Sequence, residues 1–250
     1  MRRVVIIAGA LAAVGVVVAA AGLFWFFNGA APEAASVDAV LAKSTAVTAA
    51  SATAPTTMGS SATATATAAV AATGDLAVTY QIAKGDTTFV GYRIKEVLSN
   101  IGSNTVVGRT GDVTGSLMFD GEAITAVDIT VQTKTLKSDD DRRDGQLVRG
   151  GIQTSQFPTS TFILKQPIAI ASVPADGVKV KFDAVGDFTL HGVTKRVTIP
   201  LEAARQGANV IVAGSLEVVL ADYSISKPTA PSVVSIEDKG SMEFQLVFKK

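Results

Sequence analysis

One histidine and no cysteine bound the chemistry open to this chain. His191 has no obvious catalytic company: a working imidazole needs a positioned nucleophile or acid, and no G-x-S-x-G signature occurs. Without cysteine, a thiol nucleophile, a disulfide scaffold and a thiolate metal site are excluded. A single histidine is also a poor start for a zinc site, which wants several N or S ligands. The ring is expected to be structural, bonding nearby backbone or carboxylates from a turn. The other chemical cluster is Asp139, Asp140, Asp141 and Asp144, interleaved with Arg142, Arg143 and Arg149. Its spacing does not follow an EF-hand calcium loop, whereas three acids opening a helix suit the positive end of its dipole. The arginines have two readings: pairing with aspartates three or four positions away, or contact with a phosphate or pyrophosphate head group at the mouth of a barrel. No metal or cofactor is implied.

The elements that must carry these residues are strands. Residues 186–203 read GDFTLHGVTKRVTIPLEA. Upstream, Val178, Val180, Phe182, Ala184, Gly186, Phe188 and Leu190 alternate with mostly polar residues; downstream, Val197, Ile199, Leu201 and Ala203 do the same. Period-2 alternation marks antiparallel strands with one buried and one wet face. His191-Gly192 falls between them, where glycine can take the positive φ of a hairpin turn. Further strands are predicted over 77–82, 87–98, 113–119, 124–133, 161–170, 210–222 and 241–249, and a helix over 138–151 with Ser138 as its N-cap and Gly150-Gly151 ending it. Asp120-Gly121 between two runs is a hairpin signal. An up-and-down sheet of this kind is satisfied by closing into a barrel, which leaves no edge.

Composition narrows function further. Lysine plus arginine number 22 and aspartate plus glutamate 22, with no basic cluster in the folded part, which argues against nucleic acid. Residues 4–27 carry no charge and no proline. Their 24 positions would span about 36 Å as a helix, enough for a hydrocarbon core of about 30 Å. Arg2 and Arg3 precede the run and Glu33 and Asp38 follow it, so the chain is expected to have a cytoplasmic N-terminus, a transmembrane anchor over 1–27 and an extracytoplasmic remainder. A cleavable signal peptide is the rival. Residues 28–75, rich in Ala, Thr and Ser, are expected to be a low-complexity tether with a root-mean-square span of ~35–42 Å. Within it, 32–43 could form a short, marginal helix. The folded domain is placed at 76–250.

The strongest functional signal is apolar. Phe162, Leu164, Phe182, Phe188, Leu190, Leu216, Val218, Leu220, Met242, Phe244, Leu246 and Phe248 occupy every second position of their strands and are predicted to face inward. Pattern alone leaves open whether they fill the interior or surround a cavity.

Three segments resemble the YceI-like family of polyisoprenoid-binding domains: Arg142-Arg143-Asp144 with Leu147, followed by Phe157-Pro158-Thr159-Ser160-Thr161-Phe162; Gly186-Asp187-Phe188-Thr189-Leu190-His191-Gly192-Val193-Thr194, with Phe188 where the family has Leu; and Ala221-Asp222-Tyr223-Ser224-Ile225 with Glu243-Phe244, Ser224 standing for the usual Gly. Phe89-Val90-Gly91-Tyr92-Arg93 and Val107-Gly108-Arg109-Thr110 resemble an actinobacterial branch. The resemblance covers 76–250. It implies a lipocalin-like, eight-stranded antiparallel barrel with a helix beside it, holding a long apolar chain such as a polyisoprenoid without catalysis. The competing readings are a filled barrel that binds an envelope protein or glycan, and an enzyme acting on a lipid. A continuous cavity would separate the first from the filled barrel; polar groups converging on that cavity would favour the enzyme.

Overall fold

The computed structural model describes residues 31–50, 77–99, 102–229 and 233–250. Twelve strands are present: β1 Val78–Ile82, β2 Phe89–Leu98, β3 Gly102–Thr110, β4 Val113–Phe119, β5 Ala123–Gln132, β6 Thr159–Leu164, β7 Ile168–Ala169, β8 Lys179–Leu190, β9 Val193–Gln206, β10 Asn209–Val219, β11 Val233–Ile236 and β12 Lys239–Lys249. Among the described residues two α-helices accompany these strands, α1 Val37–Ala50 and α2 Asp141–Arg149. The order β1-β4-β5-β6-β8-β9-β10-β12 closes on itself through a β12–β1 pairing, so the predicted eight-stranded antiparallel barrel is what forms.

The central hairpin keeps one register over all of β8, from Lys179↔Ala204 to Leu190↔Val193. His191 (φ 52°) and Gly192 (φ 74°) make its turn in the left-handed region, as two-residue hairpins require. Gly186 serves a different need. A Cβ there would sit 2.5 Å from the Phe162 ring on β6, so only glycine lets that ring lie flat on the neighbouring strand.

Several boundaries differ from expectation. The strand predicted over 161–170 is broken into β6 and β7 around Pro167, which has no N–H to give the ladder. The run 210–222 ends at Val219 and turns into a 3-10 segment, Leu220–Tyr223. β3 and β11 were not predicted; GSNTVVGRT is too small and polar to read as a strand. β2 pairs with β12, β3 pairs with β2 at registers from Val90↔Thr110 to Leu98↔Gly102, and β11 lies beside the end of β2. These three form a flange above the closed ring, at the end that also carries the 191–192 turn and α2. We call it the upper end. Beyond β3 the ladder gives way to a single bridge, Arg109↔Lys137, and α2 occupies the gap. The N-cap of α2 is Asp140, which accepts from the Arg142 N–H at 2.7 Å, not Ser138. Ser138 instead donates through both its N–H and hydroxyl to the buried Asp144 carboxylate.

The largest departure is α1. Residues 32–43 lie in the stretch expected to be tether, yet Val37 (0 % exposed) and Val40 (4 %) are buried against Ala204, Ile211, Ala213 and Val247 on the outside of the barrel. Full burial of two valines is worth about 3–5 kcal/mol before ordering costs. That docking supplies what a marginal isolated helix lacks. The residues before α1 are tied down as well. The Pro32 carbonyl accepts from the Arg93 guanidinium at 2.6 Å, and the Glu33 carbonyl from Arg109. The Ser36 N–H donates to Gln245 at 3.2 Å, and Lys179 pairs with Asp38 at 2.8 Å. The low-complexity residues 51–76 therefore connect α1 to β1. They and the apolar run 4–27 lie outside the described residues, and among the described residues no helix is long and apolar enough to cross a membrane.

Candidate functional site: the barrel interior

Alternate residues of the ring strands point inward, and those of every ring strand but β1 line a cavity of about 580 Å³. That lies within the ~300–1,000 Å³ range of small-molecule sites. Of the twelve predicted inward residues, Phe162, Leu164, Phe182, Phe188, Leu190, Val218, Leu220, Met242, Phe244, Leu246 and Phe248 line it. Leu216 does not; it packs between the barrel core and the cluster around Phe188 and Tyr223. Phe162, Phe182, Leu190 and Leu201 remain half-buried although they face inward, because a void adjoins them. The interior is thus hollow.

The lining has a direction. At the lower end it is wholly apolar, with Phe182, Ile124, Ile168, Val210 and Phe248. Polar side chains gather at the upper end: Glu96, Arg142, Arg143 and Gln146 among rim residues Leu98, Pro228, Val233 and Ile236. The three predicted head-group arginines separate here. Arg142 is exposed at the cavity edge and has no ion pair among the described residues. Arg143 is committed, its guanidinium 3.1 Å from the buried Glu96 carboxylate and bonded to Asp139 four positions earlier. Arg149 does not reach the cavity. The pairing reading therefore holds for Arg143, and Arg142 is the arginine left at the cavity edge.

Sequence reasoning missed Tyr92 and Glu96. Both lie on β2 and line the cavity. Glu96 also accepts from Asn104 at 3.0 Å, which with Arg143 neutralises and fixes it. The Tyr92 hydroxyl is buried without a partner of hydrogen-bonding geometry, Ser138 being its polar neighbour. Burial pushes its pKa well above the usual phenol range, so the group is a neutral donor. The tyrosine ring lies across Gly108 on β3, where a Cβ would sit 2.3 Å from it. That cross-strand glycine was the available signal.

His191 is structural. Its Nδ1 donates to the Tyr223 carbonyl at 2.9 Å, Nε2 lies 3.3 Å from the Gln153 side-chain oxygen, and the ring packs edge-on to Phe157 at 4.4 Å between centroids. It fastens the hairpin turn to two neighbouring loops and stands outside the cavity lining. Among the described residues no cluster of His, Cys, Asp and Glu could hold a metal ion.

Comparison with known proteins agrees with this architecture. A UPF0312 protein of Pseudomonas aeruginosa is 31% identical over 172 residues, covering 65% of this chain and 84% of that protein. Protein YceI of Escherichia coli is 32% identical over 136 residues, covering 53% and 65%. These relatives lend nothing to the expected actinobacterial branch. The solved structure of a polyisoprenoid binding domain from Saccharophagus degradans, implicated in plant cell wall breakdown, superposes with a TM-score of 0.54 at 18% identity, over 68% of this chain and 97% of that one. It shares the fold. The YceI-like domain matches residues 36–248, a span that takes in α1 as well as the barrel, and the chain belongs to the YceI-like family.

Proposed function

We propose that the barrel binds a long-chain isoprenoid or a related amphipathic lipid, without catalysis, for storage or exchange at the membrane on the extracytoplasmic side. The observation that carries this is the polarity gradient of the cavity: apolar walls at the lower end, with Glu96, Arg142, Arg143 and Gln146 gathered at the upper end. An amphipathic chain fits it tail-down and head-up. The polyisoprenoid-binding fold neighbour supports the same ligand class.

Magnitudes constrain the mechanism. Burial gains about 0.8 kcal/mol per CH₂ relative to water, so tens of carbons would exceed any observed affinity. A bilayer offers the chain nearly the same energy. Net preference must then come from cavity shape and head-group contacts, and loading is an exchange with a membrane. Residues 4–27 supply the proposed attachment.

The test is to express residues 31–250, purify without detergent, and combine native mass spectrometry with organic extraction. A stoichiometric prenyl or acyl lipid supports the reading. A clean apo mass, with no uptake of added polyprenyl phosphate, overturns it.

A further inference from the structure

We infer that the segment 32–43 is an orienting strap that holds the upper, polar mouth of the barrel against the lipid surface. The inference rests on the membrane attachment proposed above, not on the identity of the ligand.

The strap has a direction that the register fixes. Pro32 is bonded to Arg93, which stands opposite Ser241 on β12. Ser36 is bonded to Gln245, and Val37 and Val40 pack on Val247. From residue 32 onward the strap thus descends β12 toward the lower end, which makes Pro32 its upper end. Only residues 28–31 separate the apolar run from Pro32. Five Cα steps reach at most about 18 Å. Arg93 is five strand positions below Leu98 at the rim, about 17 Å along a strand and less along a tilted barrel axis. Covalent reach therefore allows a membrane-inserted run to lie at the height of the rim and little beyond it. A barrel on a ~40 Å tether would tumble freely; one held by this strap would not.

What fastens the strap is unusual for a surface segment. Glu243 is 3 % exposed on the outer face and is shared by two arginines, Arg93 at 3.3 Å and Arg109 at 2.7 Å. Their remaining N–H groups are the ones that hold the Pro32 and Glu33 carbonyls. The rim so presented suits a bilayer interface. Val234 (66 % exposed) and Val97 (39 %) project from the tips of β11 and β2, beside Leu98 and Val233 of the cavity edge, with the exposed Arg142 across the mouth. Apolar tips with a nearby cation fit acyl chains and anionic head groups.

The absence of native cysteine makes single labels clean. Full-length chains carrying Val234→Cys at the upper rim, or Ala208→Cys in the lower turn, would be labelled with a fluorophore. They would then be reconstituted into phosphatidylcholine–phosphatidylglycerol vesicles containing a head-group nitroxide lipid. Quenching several-fold stronger at position 234 than at 208 is expected. Inserting a flexible ~20-residue Gly/Ser segment between Gly29 and Ala30 lets the barrel drift some 25–30 Å, and should bring the ratio close to one without touching the fold. Equal or reversed quenching, a ratio unmoved by the insertion, or chains that fail to float with the vesicles would each overturn the inference. Failure of the lipid-binding reading is distinguishable: residues 31–250 would extract empty while the full-length ratio stayed high, which upholds the orientation.

Discussion

The same three strands, β9, β10 and β12, carry two apolar faces with opposite fates. Outward, Ala204, Ile211, Ala213 and Val247 are sealed by α1 of the same chain. Inward, Ala203, Val210, Val212, Leu246 and Phe248 join the wall of a cavity. Residue types barely differ between the faces. What differs is the occupant: the outer face has one built in, covalently attached and so held at a high effective concentration, and is therefore structural. On the inner face the side chains pack into a core cluster yet do not fill the barrel, which leaves space for something else. Apolar surface becomes a binding site when the fold supplies no partner for it.

The comparison predicts an ordering of mutational costs. Glu243→Ala should cost the most, about 2–4 kcal/mol in urea unfolding of residues 31–250, because it leaves two adjacent cations unpaired and loosens the strap they hold. Exposure of both arginines at about a quarter keeps the cost below that of a fully buried pair. Val37→Ala should follow at about 2 kcal/mol, since its methyls are enclosed on all sides. Leu201→Ala removes more atoms yet should cost only about 1 kcal/mol in the lipid-free protein, because part of its surface already faces the void. If Leu201→Ala proved the more damaging, the interior would be packed in solution and the contrast would dissolve.

Tyr92→Phe sharpens the inner half. Removing an unpartnered hydroxyl should raise the stability of the lipid-free protein by up to about 1 kcal/mol, read by urea unfolding. A loss of stability would show that the hydroxyl serves the fold through its neighbour Ser138.

Much of this was legible in the residues, and the gaps have physical causes. Alternation placed eleven of the twelve wall residues, and His191-Gly192 marked the turn. Arg142 and Arg143 could not be separated, because Glu96, which claims Arg143, lies 47 positions away. α1 was misjudged for a related reason: helix propensity and amphipathicity describe a segment by itself, whereas this helix is held by tertiary contacts. A signal was present elsewhere. Val210-Ile211-Val212-Ala213 and Leu246-Val247-Phe248 break the alternation by being apolar at consecutive positions, which is how strands covered on both faces read. Those runs announce that something covers the outside of the barrel; they do not say what.

The smallest predicted effect concerns the strap's exposed end. Lys179 bonds to Asp38 at 2.8 Å, with Glu202 also near at 3.6 Å. The hydrogen bond to Asp38 chiefly raises the lysine pKa above its ordinary value, against a smaller lowering from desolvation. A raised folded pKa means that the folded state holds the proton more tightly than the unfolded state does. The contribution is fully present below the unfolded lysine value and disappears as pH climbs through the folded one. The pair's contribution to strap docking should thus be constant with pH around neutrality and fade only in strongly alkaline solution. Solvent screening at this exposed site keeps the effect slight. Amide exchange across residues 36–41, compared between the parent and Lys179→Met, should show a modest loss of protection in the variant at neutral pH. The two proteins should converge as the parent's lysine deprotonates. Unchanged protection in the variant would assign the whole of strap docking to Val37, Val40 and the arginine pair, and would sharpen the contrast between a face sealed by packing and a wall left open.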